Sequence, residues 1–264
     1  MGIFEALAKK VYHDVCDRYS FLFGFPSDMA YQGFLKLGWT EHSVNEFLKF
    51  NNYDRPLNSM LSNNLYARAG KLFLKTLQSF SSIRNLYHKS DGDNVALERI
   101  DKFGDEFDLF WKTKTNNEAV IVERTVPYLN WRFAKPFGDY HIWVGRSVQD
   151  GRVLGYSVFR RSSSGKIKNV LSIVDLCALP NEHKFVHAVI DLCFKEDADL
   201  VRIRMPATDE YTKTLSSRGF IEVNKFLKRF GIYQPPLILY DFKDQNKTQR
   251  THDWSYSLAD TDYA

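Results

Sequence analysis

Residues 4–50 read FEALAKKVYHDVCDRYSFLFGFPSDMAYQGFLKLGWTEHSVNEFLKF, and residues 185–230 read FVHAVIDLCFKEDADLVRIRMPATDEYTKTLSSRGFIEVNKFLKRF. The two stretches run in step. Phe4 stands 22 residues before Pro26, and Phe185 stands 21 before Pro206. Each proline is followed five residues on by a tyrosine, Tyr31 or Tyr211. Gly38-Trp39 answers Gly219-Phe220, and the run Val44–Lys49 answers Val223–Lys228. The offset stays between 179 and 181 throughout. Several matches in order at a near-constant offset mark an internal duplication.

Each copy reads as helix, strand, helix, strand. Phe4, Leu7, Ala8, Val11 and Val15 recur at helical spacing, as do Val186, Val189, Ile190 and Cys193. Phe21-Leu22-Phe23 and Leu200–Ile203 are short β-prone runs that end at Pro26 and Pro206. The second helix of each copy is predicted to stop at Gly38 or Gly219, where glycine takes a left-handed C′ conformation cheaply. Helices alternating with strands predict an α/β fold.

The copies differ in what precedes them. Ahead of Phe185 the runs 119–123, 140–146, 153–161 and 167–176 read as strands, with turns at 149–152 and 162–165. Ahead of Phe4 stand three residues. The chain is therefore expected to hold, in residues 1–54, the C-terminal half of a first unit. A helical connector is expected over 55–95, with Leu65–Phe80 as an amphipathic helix, and a complete second unit over 96–242. Residues 243–264 read as a polar tail. Its alternation of Trp254, Tyr256 and Leu258 suits either a short docked strand or disorder.

Composition narrows the class. Of 264 residues, 44% are hydrophobic and 15% aromatic, which supports a packed core and argues against disorder. The net charge of +4 is mild and gives no sign of a nucleic-acid partner. No apolar run is long enough to span a membrane. The opening Met1-Gly2-Ile3-Phe4-Glu5 is expected not to be a secretory leader, and Ala6 stands where a myristoylation signal needs Ser or Thr. Cys16, Cys177 and Cys193, odd in number and far apart, point to a reducing compartment such as the cytoplasm.

Phe23-Gly24-Phe25-Pro26-Ser27-x-x-Ala30, followed by Gly33-Phe34-Leu35-Lys36-Leu37-Gly38-Trp39, resembles the end of a GNAT-fold acyltransferase. More narrowly, it is similar to the tandem GNAT proteins associated with bacterial polysaccharide biosynthesis. Tyr128–Phe133 with Pro136 and Tyr140 is similar to a second signature of that group, and Trp254 with Asp260-Thr261-Asp262 to its ending. The resemblance implies an N-acyltransferase that moves an acyl group from acetyl-coenzyme A, or another acyl-coenzyme A, to an amine. It also implies an amino sugar as the small-molecule acceptor. In this fold, backbone N–H groups at a helix start hold the donor's pyrophosphate. That places donor contacts at Gly2, Ile3 and Phe4, with Ser27 and Tyr31 nearby. The equivalent loop of the second copy, 176–183, lacks glycine and carries Glu182. The general-acid tyrosine of many such enzymes falls at Phe34 and Leu215, neither of which donates a proton. A catalytic residue is therefore not assigned from the sequence. The alternative expectation is a catalytically inactive remnant that binds a sugar or a protein, or that self-associates through an exposed strand edge.

The remaining candidates each have a plainer reading. Asp175 interrupts the apolar run 170–179 and must be paired, or sit at a bulge facing a cleft. Trp131 and Arg132 suit a pocket wall and an anion clamp, or a core ring and a surface charge. Arg202 and Arg204 share one strand face, and Tyr211 shares a helix face with its glycine. Asp175, Arg204 and Tyr211, with Trp131 and Arg132, form the expected substrate set. His183 and His187 at i, i+4 lack a third ligand, so no metal is expected. The basic turn at 160–168 reads as a wet hairpin tip.

Overall fold

The computed structural model describes residues 2–42, 45–52, 72, 94–114, 120–134, 139–164, 167–205, 211–222, 236–242 and 254–260. The first copy folds as α1 (Ile3–Val15), β1 (Phe21–Gly24), α2 (Asp28–Lys36), β2 (Thr40–His42) and β3 (Asn45–Phe50). The second unit follows as β4 (Val95–Ile100), α3 (Glu106–Lys114), β5 (Val120–Ile121), α4 (Val126–Phe133), β6 (Tyr140–Ser147), β7 (Val153–Ser164) and β8 (Ile167–Ala178). Then come α5 (His183–Lys195), β9 (Leu200–Met205), α6 (Tyr211–Ser217), β10 (Ile221–Glu222), β11 (Leu237–Asp241) and β12 (Trp254–Ser255). A single 3-10 turn, Leu258–Asp260, ends the described chain. The α/β architecture is the expected one. Residues 65–80 lie outside the described residues, apart from the exposed Leu72.

The duplication is visible in the backbone. Gly38 and Gly219 take φ of 90° and 86°. In both copies the residue after the glycine donates back to the same helical position, Trp39 N to Phe34 O at 3.2 Å and Phe220 N to Leu215 O at 3.1 Å. Glycine closes both helices because a side chain there would be strained.

The two copies do not simply lie side by side. The main sheet has the order β10-β3-β9-β8-β7-β6-β4, and a smaller sheet has the order β1-β11-β2. Strand β3 of the first copy enters the second unit's sheet between β9 and β10, with Glu46 facing Arg204 in register. Strand β11 of the second unit enters the first copy's sheet between β1 and β2. The copies thus exchange their last strands, and a boundary near residue 54 does not divide the sheets. The match of Val44–Lys49 with Val223–Lys228 extends into 223–235, outside the described residues; β11 takes the place reciprocal to β3.

Both faces of the main sheet are covered. On one lie Phe185, Val186, Val189, Ile190 and Cys193 of α5, all fully buried against β7, β8 and β9. On the other, Phe103, Phe107, Phe110, Leu129 and Phe133 pack around Tyr156. Helix α1 has the same apolar period as α5 yet buries no residue: Ile3 is 89% and Leu7 63% exposed. The strands that cover α5 have no counterpart over α1 among the described residues, and β1 pairs there only with β11.

Two packing features give direct predictions. Gly145 and Gly155 face each other across β6 and β7, and the Phe185 ring fills the space above both. A Cβ on Gly155 would overlap that ring and stand 2.7 Å from the Cys177 carbonyl oxygen. Gly155→Ala is expected to cost about 1–3 kcal/mol in urea unfolding, whereas a loss below a few tenths would show that the ring moves freely. Lys49 of β3 sits 3.7 Å above the Phe194 ring and donates to the Arg218 carbonyl at 2.8 Å. Burial, then the Arg218 charge, pushes its pKa down to about 8, against the pull of Asp191. Above about pH 8 the unfolded chain holds this proton and the folded one does not, so stability rises with pH toward the ordinary lysine range. Lys49→Met is expected to flatten that rise by about 1 kcal/mol, the remaining exposure of the ammonium being allowed for. Equal slopes in wild type and variant would refute it.

Candidate functional site

Strands β8 and β9 pair in parallel only from Val170–Ile173 to Leu200–Ile203. Val174 then bulges out of the β7 ladder, which steps from Phe159↔Ile173 to Val158↔Asp175. Beyond the bulge β8 stays with β7 while β9 stays with β3, so the parallel pair parts. Bulges re-aim side chains in this way. The gap is a pocket lined by Asp175 and Cys177 from β8, Arg204 and Met205 from β9, Tyr211 from α6, and Tyr256 from the tail. Lys114 and Arg124 complete its charged wall.

Asp175 both flanks the bulge and is paired. Arg124 Nε and the Tyr156 hydroxyl each donate to its Oδ2 at 2.9 Å. Arg124 is saturated. Its Nη2 lies 2.8 Å from Asp260 Oδ1 and bonds Ser257 Oγ at 3.3 Å, and its Nη1 bonds the Val122 carbonyl at 3.2 Å. Burial alone would lower its pKa, but Asp175 and Asp260 outweigh it and hold the guanidinium firmly charged. Burial first, then the Asp175 charge, drives the Tyr156 hydroxyl well above its ordinary value. Burial also raises Asp260, with Arg124 opposing. This network ties the tail onto the second unit, together with β12, which pairs in parallel with β5.

Arg204 is held differently. It is 2% exposed. Its Nη2 donates to Glu46 Oε2 at 3.3 Å, and Phe25 of the first copy covers the guanidinium at 5.7 Å. Its Nε and Nη1 have no hydrogen-bond partner among the described residues.

Of the expected substrate set, the fold therefore brings Asp175, Arg204 and Tyr211 into one pocket. Trp131 and Arg132 do not line it. Trp131 is 65% exposed beside Tyr128, because its neighbours Leu129 and Phe133 own the inward face of α4. Arg132 Nε donates to the Ala259 carbonyl at 3.2 Å and so clamps the tail. The expected donor residues lie on the first copy. Ser27 is the exposed N-cap of α2, Tyr31 donates to Glu41, and the Phe4 ring meets Phe34 edge-on. Arg124, Glu46, Lys114 and Tyr256 were not found from sequence. His187 Nδ1 accepts from Arg218 Nε at 3.2 Å, and no group of three metal-ligating side chains stands together among the described residues.

Two helix starts are candidates for a coenzyme A pyrophosphate. At α5 the N-cap is Glu182, whose carboxylate takes a bond from Arg152 at 3.2 Å. A carboxylate there opposes a phosphate, so this end does not fit the donor. At α1 the N-cap is Gly2, no side chain caps the first turn, and a Cβ on Gly2 would meet nothing within 4 Å. The charge of Glu5 is answered by Lys9 at 2.6 Å. That end fits an anion.

No protein-family model matches the chain, and no curated protein matches it in sequence. Its fold does match solved structures. One is a conserved protein of unknown function from Enterococcus faecalis, described as a probable N-acyltransferase, with TM-score 0.53 and 11% identity over 90% of this chain and 49% of that one. Another is a GCN5-related N-acetyltransferase from Anabaena variabilis, with TM-score 0.54 and 10% identity over 90% of this chain and 50% of that one. The chain spans about half the length of these structures. At such identities the likeness is one of fold, and the fold is that of the GCN5-related N-acetyltransferases.

Proposed function

We propose that this chain serves a GNAT-type N-acyltransferase, moving an acyl group from acetyl-coenzyme A or another acyl-coenzyme A to the amine of a small molecule. The acceptor is read as an amino sugar of surface-polysaccharide synthesis and the site of action as the cytoplasm. The observation that carries the reading is the parting of β8 and β9 over a buried, charge-lined pocket. Acyl transfer to an amine needs its partners oriented in a site closed to bulk water. Both bonds received by Asp175 fall on Oδ2, which leaves Oδ1 to accept from a bound amine. Tyr211 supplies a hydroxyl on the opposite wall. Bound acyl-coenzyme A would supply the activated thioester, its pyrophosphate held by the backbone of Gly2, Ile3 and Phe4, with Ser27 and Tyr31 on the same copy. No helix among the described residues is long and apolar enough to cross a membrane.

The test is thiol release from acetyl-coenzyme A with glucosamine as acceptor, alongside calorimetric titration of acetyl-coenzyme A. Binding with acceptor-dependent thiol release is expected, and Asp175→Asn is expected to lower the rate by roughly tenfold or more. Absence of heat at high acetyl-coenzyme A would sink the reading and leave the non-catalytic binding module.

A further inference from the structure

We infer that the pocket between β8 and β9 takes a ligand that carries a carboxylate as well as an amine, and that Arg204 is the residue that selects the carboxylate. The inference rests on the acyltransferase reading only for the amine.

Two buried arginines, Arg124 and Arg204, line the one pocket. Arg124 has acceptors on Nε, Nη1 and Nη2, including two carboxylates. The fold therefore supplies partners where a buried guanidinium serves structure alone. Arg204 is equally buried, yet it has one acceptor, Glu46, at the long distance of 3.3 Å. A buried guanidinium left short of acceptors costs stability.

The open part of Arg204 has a shape. Its Nη2 carries two N–H bonds, one directed with Nε–H along the side of the guanidinium and one with Nη1–H across its end. Glu46 accepts one of them. Because Nε and Nη1 have no partner among the described residues, one complete two-pronged edge remains open whichever bond Glu46 takes. Two parallel N–H donors are the geometry that binds a planar carboxylate bidentately. Phe25 covers the guanidinium, so approach is along the edge.

Asp175 lines the pocket from β8, with both of its received bonds on Oδ2, while Arg204 lines it from β9. A ligand that answers both is an amine at one end and a carboxylate at the other. Within the proposed acceptor class this is an aminated sugar acid rather than a neutral amino sugar.

The test follows the Nε–H signals of isotope-labelled full-length chain by nuclear magnetic resonance, with Arg204 assigned through its loss in Arg204→Lys. The probes are two matched pairs, 2-amino-2-deoxyglucuronic acid with glucosamine, and glycine with glycinamide. At least one acid is expected to shift the Arg204 signal saturably and to bind roughly tenfold or more tightly than its carboxylate-free partner. Arg204→Lys is expected to remove that preference. The double variant Arg204→Met with Glu46→Leu, which removes both members of the pair, is expected to keep the circular dichroism of the wild type and to lose the preference too. Equal binding within each pair, a silent Arg204 signal at tens of millimolar of both acids, or a preference that survives in the double variant would each overturn the inference. None of these readouts uses acyl-coenzyme A. Carboxylate preference without thiol release, when the preferred acid is itself offered as acceptor, would therefore count against the acyltransferase reading and not against this one.

Discussion

Arg124→Met is expected to lower the stability of the chain by about 3–5 kcal/mol at neutral pH, measured by urea unfolding. The substitution keeps the apolar stem and removes one charge. What it leaves is two carboxylates, Asp175 and Asp260, facing each other in a nearly dry space. It also strips acceptors' partners from Ser257 and the Val122 carbonyl. Most of the cost comes from the stranded charges rather than from lost attraction, and that gives the prediction a pH signature. Burial already raises Asp260, and Arg124 is what opposes the rise. Without it the folded variant binds a proton more tightly than the unfolded chain does. Its stability then increases as pH falls, so the deficit should be smaller near pH 5 than near pH 8. The same network anchors Ser257 and Asp260, so hydrogen exchange at the Ser257 amide, which donates to Asp260 Oδ2, should accelerate in the variant. A deficit below about 1 kcal/mol that does not change with pH would show that the network is not what holds the tail.

The parts of this molecule that sequence reveals are those set by local chemistry. The duplication was legible because paired prolines and helix-closing glycines impose their conformations on their own neighbours, and Gly38 and Gly219 adopt the positive φ that their positions require. Asp175 was legible because a carboxylate inside an apolar run must be answered. Its answer was not legible. Arg124 lies 51 residues away from Asp175, and Asp260 lies 136 from Arg124, so no spacing pattern connects them. The strand exchange was hidden for the same reason. That β3 is a strand follows from the repeat, but which sheets β3 and β11 enter is decided by long-range pairing and by the hydrophobic faces they must cover. The orientation of Trp131 was legible only in part. A family-like segment placed it at a pocket, while the helical period of Leu129 and Phe133 turns it to solvent.

The exchange also explains why the pocket draws on both copies, and it leads to the second large effect. Glu46 reaches Arg204 only because β3 has crossed into the second unit's sheet. Both side chains are buried; Arg204 Nε and Nη1 have no partner among the described residues, while Glu46 also supports the charge of Arg202. Arg204→Met should cost about 3–5 kcal/mol because it strands the Glu46 carboxylate, and Glu46→Leu should cost a similar amount by stranding the guanidinium. The double variant Glu46→Leu with Arg204→Met removes both charges and leaves apolar groups among Phe25, Met205 and Tyr256. It is expected to be more stable than either single variant, short of wild type by the support that Arg202 loses with Glu46. The four unfolding curves form a double-mutant cycle whose coupling isolates the pair. A double variant no more stable than the worse single variant would make the pair a structural strut. The expected outcome gives it another meaning: the fold tolerates the joint loss of the pair better than the loss of either half, and Arg204 is the half that still has donors to offer a ligand.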